Sequence, residues 1–442
     1  MKDFFKNLKQ NKKGSMFLFV MIFGFIGFMT ITIGMTSYTI FESKAAKQVY
    51  RKDLAFHVAE AGIDYYRWHL MSSPEDYYDG QGSGSTGPYV HDYYDKDGNV
   101  VGTFSLEIEA PPEGTYVVAV RSTGWSLENP ASKRTVEAYF GYESFSDSAY
   151  VVNSDITFSS TSFVHGKVFS NGCIEFNGTS DSWVDSAKGE NQCSGGNDGV
   201  YGSGSPIEFW RYGLPARSFA GIGDNFDDLE DMANQPEGTN LGSSYRWHIK
   251  FKNNGTYDLF RVTNYSSTRY DISAENHYGN YALPENGVIY SRRDLWVEGV
   301  VKGRVTVVAD NYSDIYIPGN LTYNEKYSDD VLGLLAYDSI LIPYTVPNNM
   351  EINAALLSKG GSIGRNNYSS VGGSYNIQDS LNIFGAQIRY AGGGFKWVNQ
   401  YGTIVSGFIN TVYTYDGNLL YKPPVGIPVV PEYKLISWHE LN

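Results

Sequence analysis

At 442 residues the chain is longer than one average domain, which allows two or three units and a substantial buried core. Its net charge of -14 argues against nucleic acid as a partner, because phosphate binding draws its affinity from clustered Lys and Arg that this chain lacks. Abundant Gly and a large excess of Tyr over Trp suit a β-rich exported protein, in which Gly serves turns and aromatic side chains cover half-buried strand faces.

The chain opens on a basic stretch. Lys2, Lys6, Lys9, Lys12 and Lys13 against Asp3 give it about +4, which leaves about -18 for the remainder. Gly14 to Phe41 then carries no charge, and residues of about 16–40 are long enough as a helix to cross roughly 30 Å of hydrocarbon. This run exceeds the roughly 7–15 residues of a signal-peptide core. The lysines on its N-terminal flank place the N-terminus in the cytoplasm and everything after Phe41 outside it. Gly24, Gly27, Thr30 and Gly34 form a seam of small residues that lets helices approach closely in lipid or in a filament core; the alternative is that membrane helices simply tolerate Gly. Beyond the span, Val49, Phe56, Ala59, Ile63, Tyr66 and Leu70 recur at helical spacing. One helix over 15–72 is predicted, ending at Ser72, Ser73 and Pro74.

A basic leader ending in Gly14, an apolar helix from Ser15, and the sequence Ala59, Glu60, Ala61, Gly62, Ile63 together resemble the N-terminal region of PilX-type minor pilins of type IV pilus systems. The resemblance covers roughly the first 70 residues. It implies a prepilin leader over 1–14, cleaved between Gly14 and Ser15, with other pilin subunits, the pilus assembly machinery and the membrane as partners. The fifth residue of the mature chain, usually Glu in that family, is Phe19 here, which points to a minor or tip subunit.

Residues 73–145 read as a Gly/Ser-rich linker followed by a small antiparallel sheet, with strands at Val100 to Glu109, Thr115 to Thr123 and Lys133 to Tyr142 and a hairpin turn at Asp95 to Asn99. A long helix followed by such a sheet is an α+β pilin architecture. From 146 to 442 short Val-, Ile- and Phe-rich strands alternate with Gly corners, which suggests a parallel β-solenoid, with a β-sandwich as the rival. An insertion of about 199–285 interrupts the rhythm, and the Pro-rich tail is expected to run over the solenoid and close its open end.

Cys173 and Cys193, an isolated pair in an exported chain, are expected to form a disulfide. No nucleophile elbow, phosphate loop, dinucleotide fingerprint or paired histidine motif occurs, so no catalytic residue, cofactor or metal is assigned. Asp227, Asp228, Glu230 and Asp231 crowd one predicted helix and leave cation binding open. Asp294, Asp310, Asp314, Arg292 and Arg293 are the densest set for the alternative of a carbohydrate-active enzyme on a β-helix. The favoured function is that of a non-enzymatic surface subunit acting in filament assembly or adhesion, with a surface or carbohydrate as its ligand. A free-standing surface protein with a pilin-type export signal is the third alternative.

Overall fold

The computed structural model describes residues 12–82, 84–111, 117–219 and 225–441. They form a long apolar N-terminal helix and a large β-rich part containing both antiparallel and parallel sheets. Two compact units result. The first holds the described residues up to Glu109 with Val120–Ala138 and the chain end from Ser437; the second holds Tyr139–Ile436 and the short connection up to Ala119.

In the first unit, α1 runs from Lys12 to Ser72. No Pro interrupts it, and it stops where Pro74 cannot continue the hydrogen-bond ladder. Its C-terminal half packs on an antiparallel sheet of β1 (Tyr89–Tyr94), β2 (Val100–Glu109), β3 (Val117–Ser126) and β4 (Asn129–Ser144). The turn between β1 and β2 is held by Asp95, whose Oδ1 accepts from the N–H groups of Asp97 and Asn99 at 2.9 Å each.

The buried helix face is Ala55, Val58, Ala59, Ile63, Tyr66 and Leu70, whereas Val49 is exposed and Phe56 only half-buried. The last four residues of the predicted stripe hold, and at its start the smaller Ala55 and Val58 take the place of Val49 and Phe56. The cause lies in the sheet. A Cβ on Gly124 would sit 2.5 Å from the Ala55 carbonyl and 2.9 Å from Ala59 Cα; one on Gly102 would sit 2.7 Å from Val58 Cγ2. A Cβ on Gly62 of the helix would sit 2.8 Å from Phe104 Cδ2 and collide with the Ser122 hydroxyl. Helix and sheet thus meet backbone to backbone, and small residues are required on both sides.

The second unit is built in turns of chain. The first turns are β5 (Tyr150–Val152), β6 (Ile156–Phe158) and β7 (Ser162–His165); β8 (Val168–Ser170), β9 (Ile174–Phe176) and β10 (Thr179–Ser180); then β11 (Val184–Ser186), β12 (Val200–Tyr201) and β13 (Trp210–Arg211). Helix α2 (Asn225–Asn234) follows. Next come β14 (Thr239–Asn240) and β15 (Arg246–Lys252), with β16 (Thr256–Tyr265) and β17 (Ile272–Ala282) folded back antiparallel on β15. The later turns are β18 (Val288–Ser291) and β19 (Leu295–Val301); β20 (Arg304–Ala309), β21 (Ile315–Tyr316) and β22 (Leu321–Tyr323); β23 (Val331–Ala336), β24 (Ile340–Ile342) and β25 (Asn349–Ser358). The stack ends with β26 (Ile363–Arg365), β27 (Ile377–Arg389), β28 (Lys396–Val398) and β29 (Ile404–Tyr415).

Parallel pairing joins these turns. Ile289, Val307, Leu334, Leu356, Gln387, Tyr150, Val168 and Val184 succeed one another down a single ladder. Leu321, Ile352, Ile383, Tyr413, Val164 and Ser180 follow one another down another. The apolar side chains of both ladders are buried, as expected for strands that pack on a common interior. The last turns in sequence, β27 and β29, pair with the first, β5 and β7.

Two expectations are corrected. The segment 199–285 is not one excursion, because β12 to β15 enter parallel pairings and only α2 and the β16–β17 hairpin leave them. The tail does not close an open end. The carbonyls of Lys422 and Pro423 accept from Arg304, that of Val425 accepts from Thr306, and the chain then forms β30 (Val429–Leu441) at the edge of the antiparallel sheet, next to β4. Prolines supply acceptors but no donors, so the Pro-rich segment suits a surface strap and Pro431 an edge strand.

The close helix–sheet approach makes a prediction. Gly124→Ala should lower the unfolding free energy by about 1–3 kcal/mol through overpacking, whereas Gly27→Ala, which meets nothing within 4 Å, should not lower it. Urea unfolding of the two variants followed by tryptophan fluorescence checks this; equal effects would contradict the packing argument.

Candidate functional site

From Met16 to Phe41 the helix side chains are exposed, Phe19 among them at 57%. By length and composition this stretch can cross a membrane. The predicted seam lies here: at 100° per residue Gly24, Gly27, Thr30 and Gly34 fall within about 120° of the helix surface, and no atom comes within 4 Å of a Cβ placed on any of the three glycines. Thr30 donates its hydroxyl to the Ile26 carbonyl at 2.8 Å, and Thr32 and Thr36 bond to the carbonyls of Phe28 and Thr32 in the same way. Thr30, the one hydroxyl of the seam, is thus bonded within the helix, which suits contact with lipid or with another apolar helix. Residues 1–11, most of the predicted leader, lie outside the described residues; Gly14 and Ser15 fall in the first turn of α1.

Of the motif residues, Ala59, Gly62 and Ile63 are buried on the helix side that meets the sheet, and Ala61 is half-buried. Glu60 lies at the flank, with the His57 Nδ1 3.2 Å from its carboxylate. The small residues of the motif are thus accounted for by the close packing of helix on sheet.

In the second unit a disulfide joins Cys173 to Cys193, with Cα atoms 5.8 Å apart. It ties the loop before β12 to the turn before β9, where the Cys173 N–H also donates to Asp155 at 2.8 Å. In the acidic group on α2, Asp227, Asp228 and Asp231 are exposed and Glu230 pairs with Arg292 at 2.5 Å. Among the described residues no three metal-ligating side chains gather. The residues considered for sugar cleavage are spoken for as well: Asp294 pairs with Arg246, Asp310 accepts from Tyr290, and Asp314 accepts from Tyr316.

One cleft of about 520 Å³ opens in the second unit, lined by segments 150–162, 389–398 and 411–413. It exists because β6 is an edge strand of its three-stranded sheet, and because β28 pairs antiparallel with β29 instead of continuing the parallel stacking. Gly392, Gly393 and Gly394 pass beside it and leave the space unfilled.

No protein-family model matches the chain, and no curated protein matches it. Among solved structures, the competence-associated pilin ComZ from Thermus thermophilus is similar at 12% identity and a TM-score of 0.35, over 88% of this chain and 98% of that one.

Two groups of residues escaped the sequence reading. Lys396 and Arg389 of the cleft stand in segments remote from 150–162. His248, one of seven histidines with no motif spacing, is buried between two carboxylates: its Nδ1 lies 2.8 Å from Glu275, its Nε2 3.4 Å from Glu298, and Lys250 reaches Glu298 at 3.1 Å. Burial pulls the imidazole pKa down, but the hydrogen bonds and charges of Glu275 and Glu298 outweigh it and hold the pKa above its usual 6.5. His248 and Lys250 in turn hold both glutamates below 4.5, against the desolvation that opposes them.

The sign of the pH dependence follows from these directions. The raised histidine stabilises the fold fully below about pH 6.5, and this is lost as pH rises through its folded value; the lowered glutamates stabilise above about pH 4.5, and this is lost on acidification. The trio should therefore contribute most between about pH 4.5 and 6.5. Urea midpoints across pH 4–8 should show a maximum in that window that His248→Gln flattens; the same profile in the variant would refute the assignment.

Proposed function

We propose that the chain is a membrane-anchored, pilin-like surface subunit, non-enzymatic, with its N-terminus cytoplasmic and its β-rich part outside. The observation that carries this reading is the division of α1. One half is an exposed apolar rod with an open small-residue seam, and the other half is seated on an antiparallel sheet through Ala59 and Gly62. A protein that needed only an anchor would not require one continuous helix serving both parts. The stacked parallel ladders are read as a β-solenoid head carried by that helix.

The subunit is read as a minor or tip component of a type IV pilus or related filament, in the manner of the PilX-type pilins. Phe19 stands where a Glu would neutralise the amine of a neighbouring subunit inside an apolar core, and a lone charge there costs several kcal/mol. A head of about 370 residues has a radius of gyration near 21 Å, much wider than a helix of roughly 10–12 Å packed in a shaft. Crowding then favours low copy number.

N-terminal sequencing of the membrane-fraction protein is expected to find Ser15 first, after removal of 1–14; an intact leader as the only mature form would defeat the pilin reading. Quantitative mass spectrometry of sheared filaments should find the chain as a trace component, lost on Gly34→Leu. Its presence as the dominant component would refute the tip assignment.

A further inference from the structure

The cleft in the second unit has an unusual charge balance for so acidic a chain. Arg389 lines it and is 2% exposed. Its Nη1 donates to the carbonyls of Ile363 at 3.0 Å and Gly393 at 2.9 Å, while its Nε has no partner. Lys396, half-buried, donates to the hydroxyls of Ser159 at 3.1 Å and Thr161. Among the described residues neither cation has a carboxylate within ion-pair distance. Burial without a counter-ion holds the Lys396 ammonium below its usual pKa. A buried cation lacking an anion is costly, and both of these border the same open space.

The rest of the lining narrows the ligand. Trp397 is 40% exposed, and its indole N–H donates to the Arg365 carbonyl at 2.8 Å, which fixes the ring as a platform at the rim. Hydroxyls of Ser159, Ser162 and Thr411 surround the cationic side, and each can both donate and accept. Asp155 supplies one acceptor carboxylate. A sugar ring presents C–H groups to an aromatic face and hydroxyls to a polar rim, and a carboxyl substituent would give Lys396 and Arg389 the counter-ion they lack. A volume of about 520 Å³ lies within the usual range for small-ligand sites.

We propose that this cleft binds a carboxylate-bearing saccharide, a uronate unit of an acidic glycan, with Lys396 and Arg389 on the carboxylate and Trp397 under the ring. The net charge of the chain repels anions at a distance, so recognition acts by contact and gives modest affinity. The proposal is independent of the filament reading, since a free-standing surface protein would present the same cleft.

The test is calorimetric titration of the full chain in detergent micelles with trigalacturonate, maltotriose and sodium acetate. Trigalacturonate should bind at least about tenfold more tightly than either of the others, a difference of about 1.4 kcal/mol. Lys396→Gln should weaken it by a similar factor. Gly392→Leu should fill the cleft with the same effect, since a Cβ there meets Asp155 and Ser154 only at 3.6 and 3.8 Å and the backbone need not move. Unfolding midpoints of both variants show whether the fold is kept, and Trp397→Ala provides a third variant should either fail to fold. Equal binding of maltotriose would overturn the carboxylate's role, and displacement by acetate at matching concentration would overturn the saccharide class. No heat with trigalacturonate, or unchanged binding in folded variants, would overturn the site.

Discussion

The pairing of the last turns of the second unit with its first is the constraint on which the rest of that unit depends. Ser162 and Thr411, 249 residues apart in sequence, share a hydroxyl hydrogen bond of 3.1 Å across this seam. Closing a chain of that length costs about 5 kcal/mol in loop entropy alone, and the cost is offset only when whole strands pair. Residues of β27 align with β5 and residues of β29 with β7, so two ladders close together. The turns between, β18 to β27, pair one with the next, and the seam joins that run to the first turns. The disulfide acts locally within this frame. By closing about 20 residues it removes roughly 3 kcal/mol of unfolded-state freedom, and it does so in the turns that have the shortest strands.

The first unit rests on a different constraint, the absence of side-chain volume. Gly62, Gly102 and Gly124 are all placed where an added methyl group would strike backbone or ring atoms. The same helix holds Gly24, Gly27 and Gly34 with nothing near them. Glycine thus has two meanings along one element: a contact already made, and a surface left open. Gly is a weak helix former in water, at about 1 kcal/mol below Ala, and is more frequent in membrane-spanning helices.

How much of this the sequence revealed follows the range of the interactions. The membrane-length helix was legible because charge exclusion and length are properties of a contiguous segment, and its end was legible at Pro74. The sheet strands were placed within a few residues for the same reason, since alternation is local, although β1 and β30 were missed. Ala59, Ile63, Tyr66 and Leu70 of the stripe are buried as read; Val49 and Phe56 were included because they look like core residues, while the contact also uses Ala55 and Gly62, which carry little hydropathy signal. The charged interior was not legible at all. His248 meets Glu275 and Glu298 only because β17 folds back on β16 and β19 stacks on β15. The cleft is assembled from segments more than two hundred residues apart; the triple glycine at 392–394 was its one local trace, and it reads equally well as an ordinary corner.

The buried charges of the second unit separate structural roles from one that is incomplete. His248 has its carboxylates in place, and Lys250 balances them, so its charge is compensated within the chain. Arg365 is a harder case, since it is 1% exposed, has no carboxylate, and is pushed down to about 10 by burial. Yet its Nη2 donates to two carbonyls, of Tyr344 and Tyr375, and its guanidinium lies over the rings of Tyr368 and Phe408. An unpaired buried arginine is therefore not in itself a mark of a ligand. Arg389 resembles Arg365 in its carbonyl partners and its place over Tyr150, and differs in bordering an open cleft alongside a second unpaired cation and an exposed indole. Here β28 turns antiparallel to β29 and β6 is a sheet edge, and the interruption of the stacking brings positive charge, hydroxyls and an aromatic face to the wall of one open cleft.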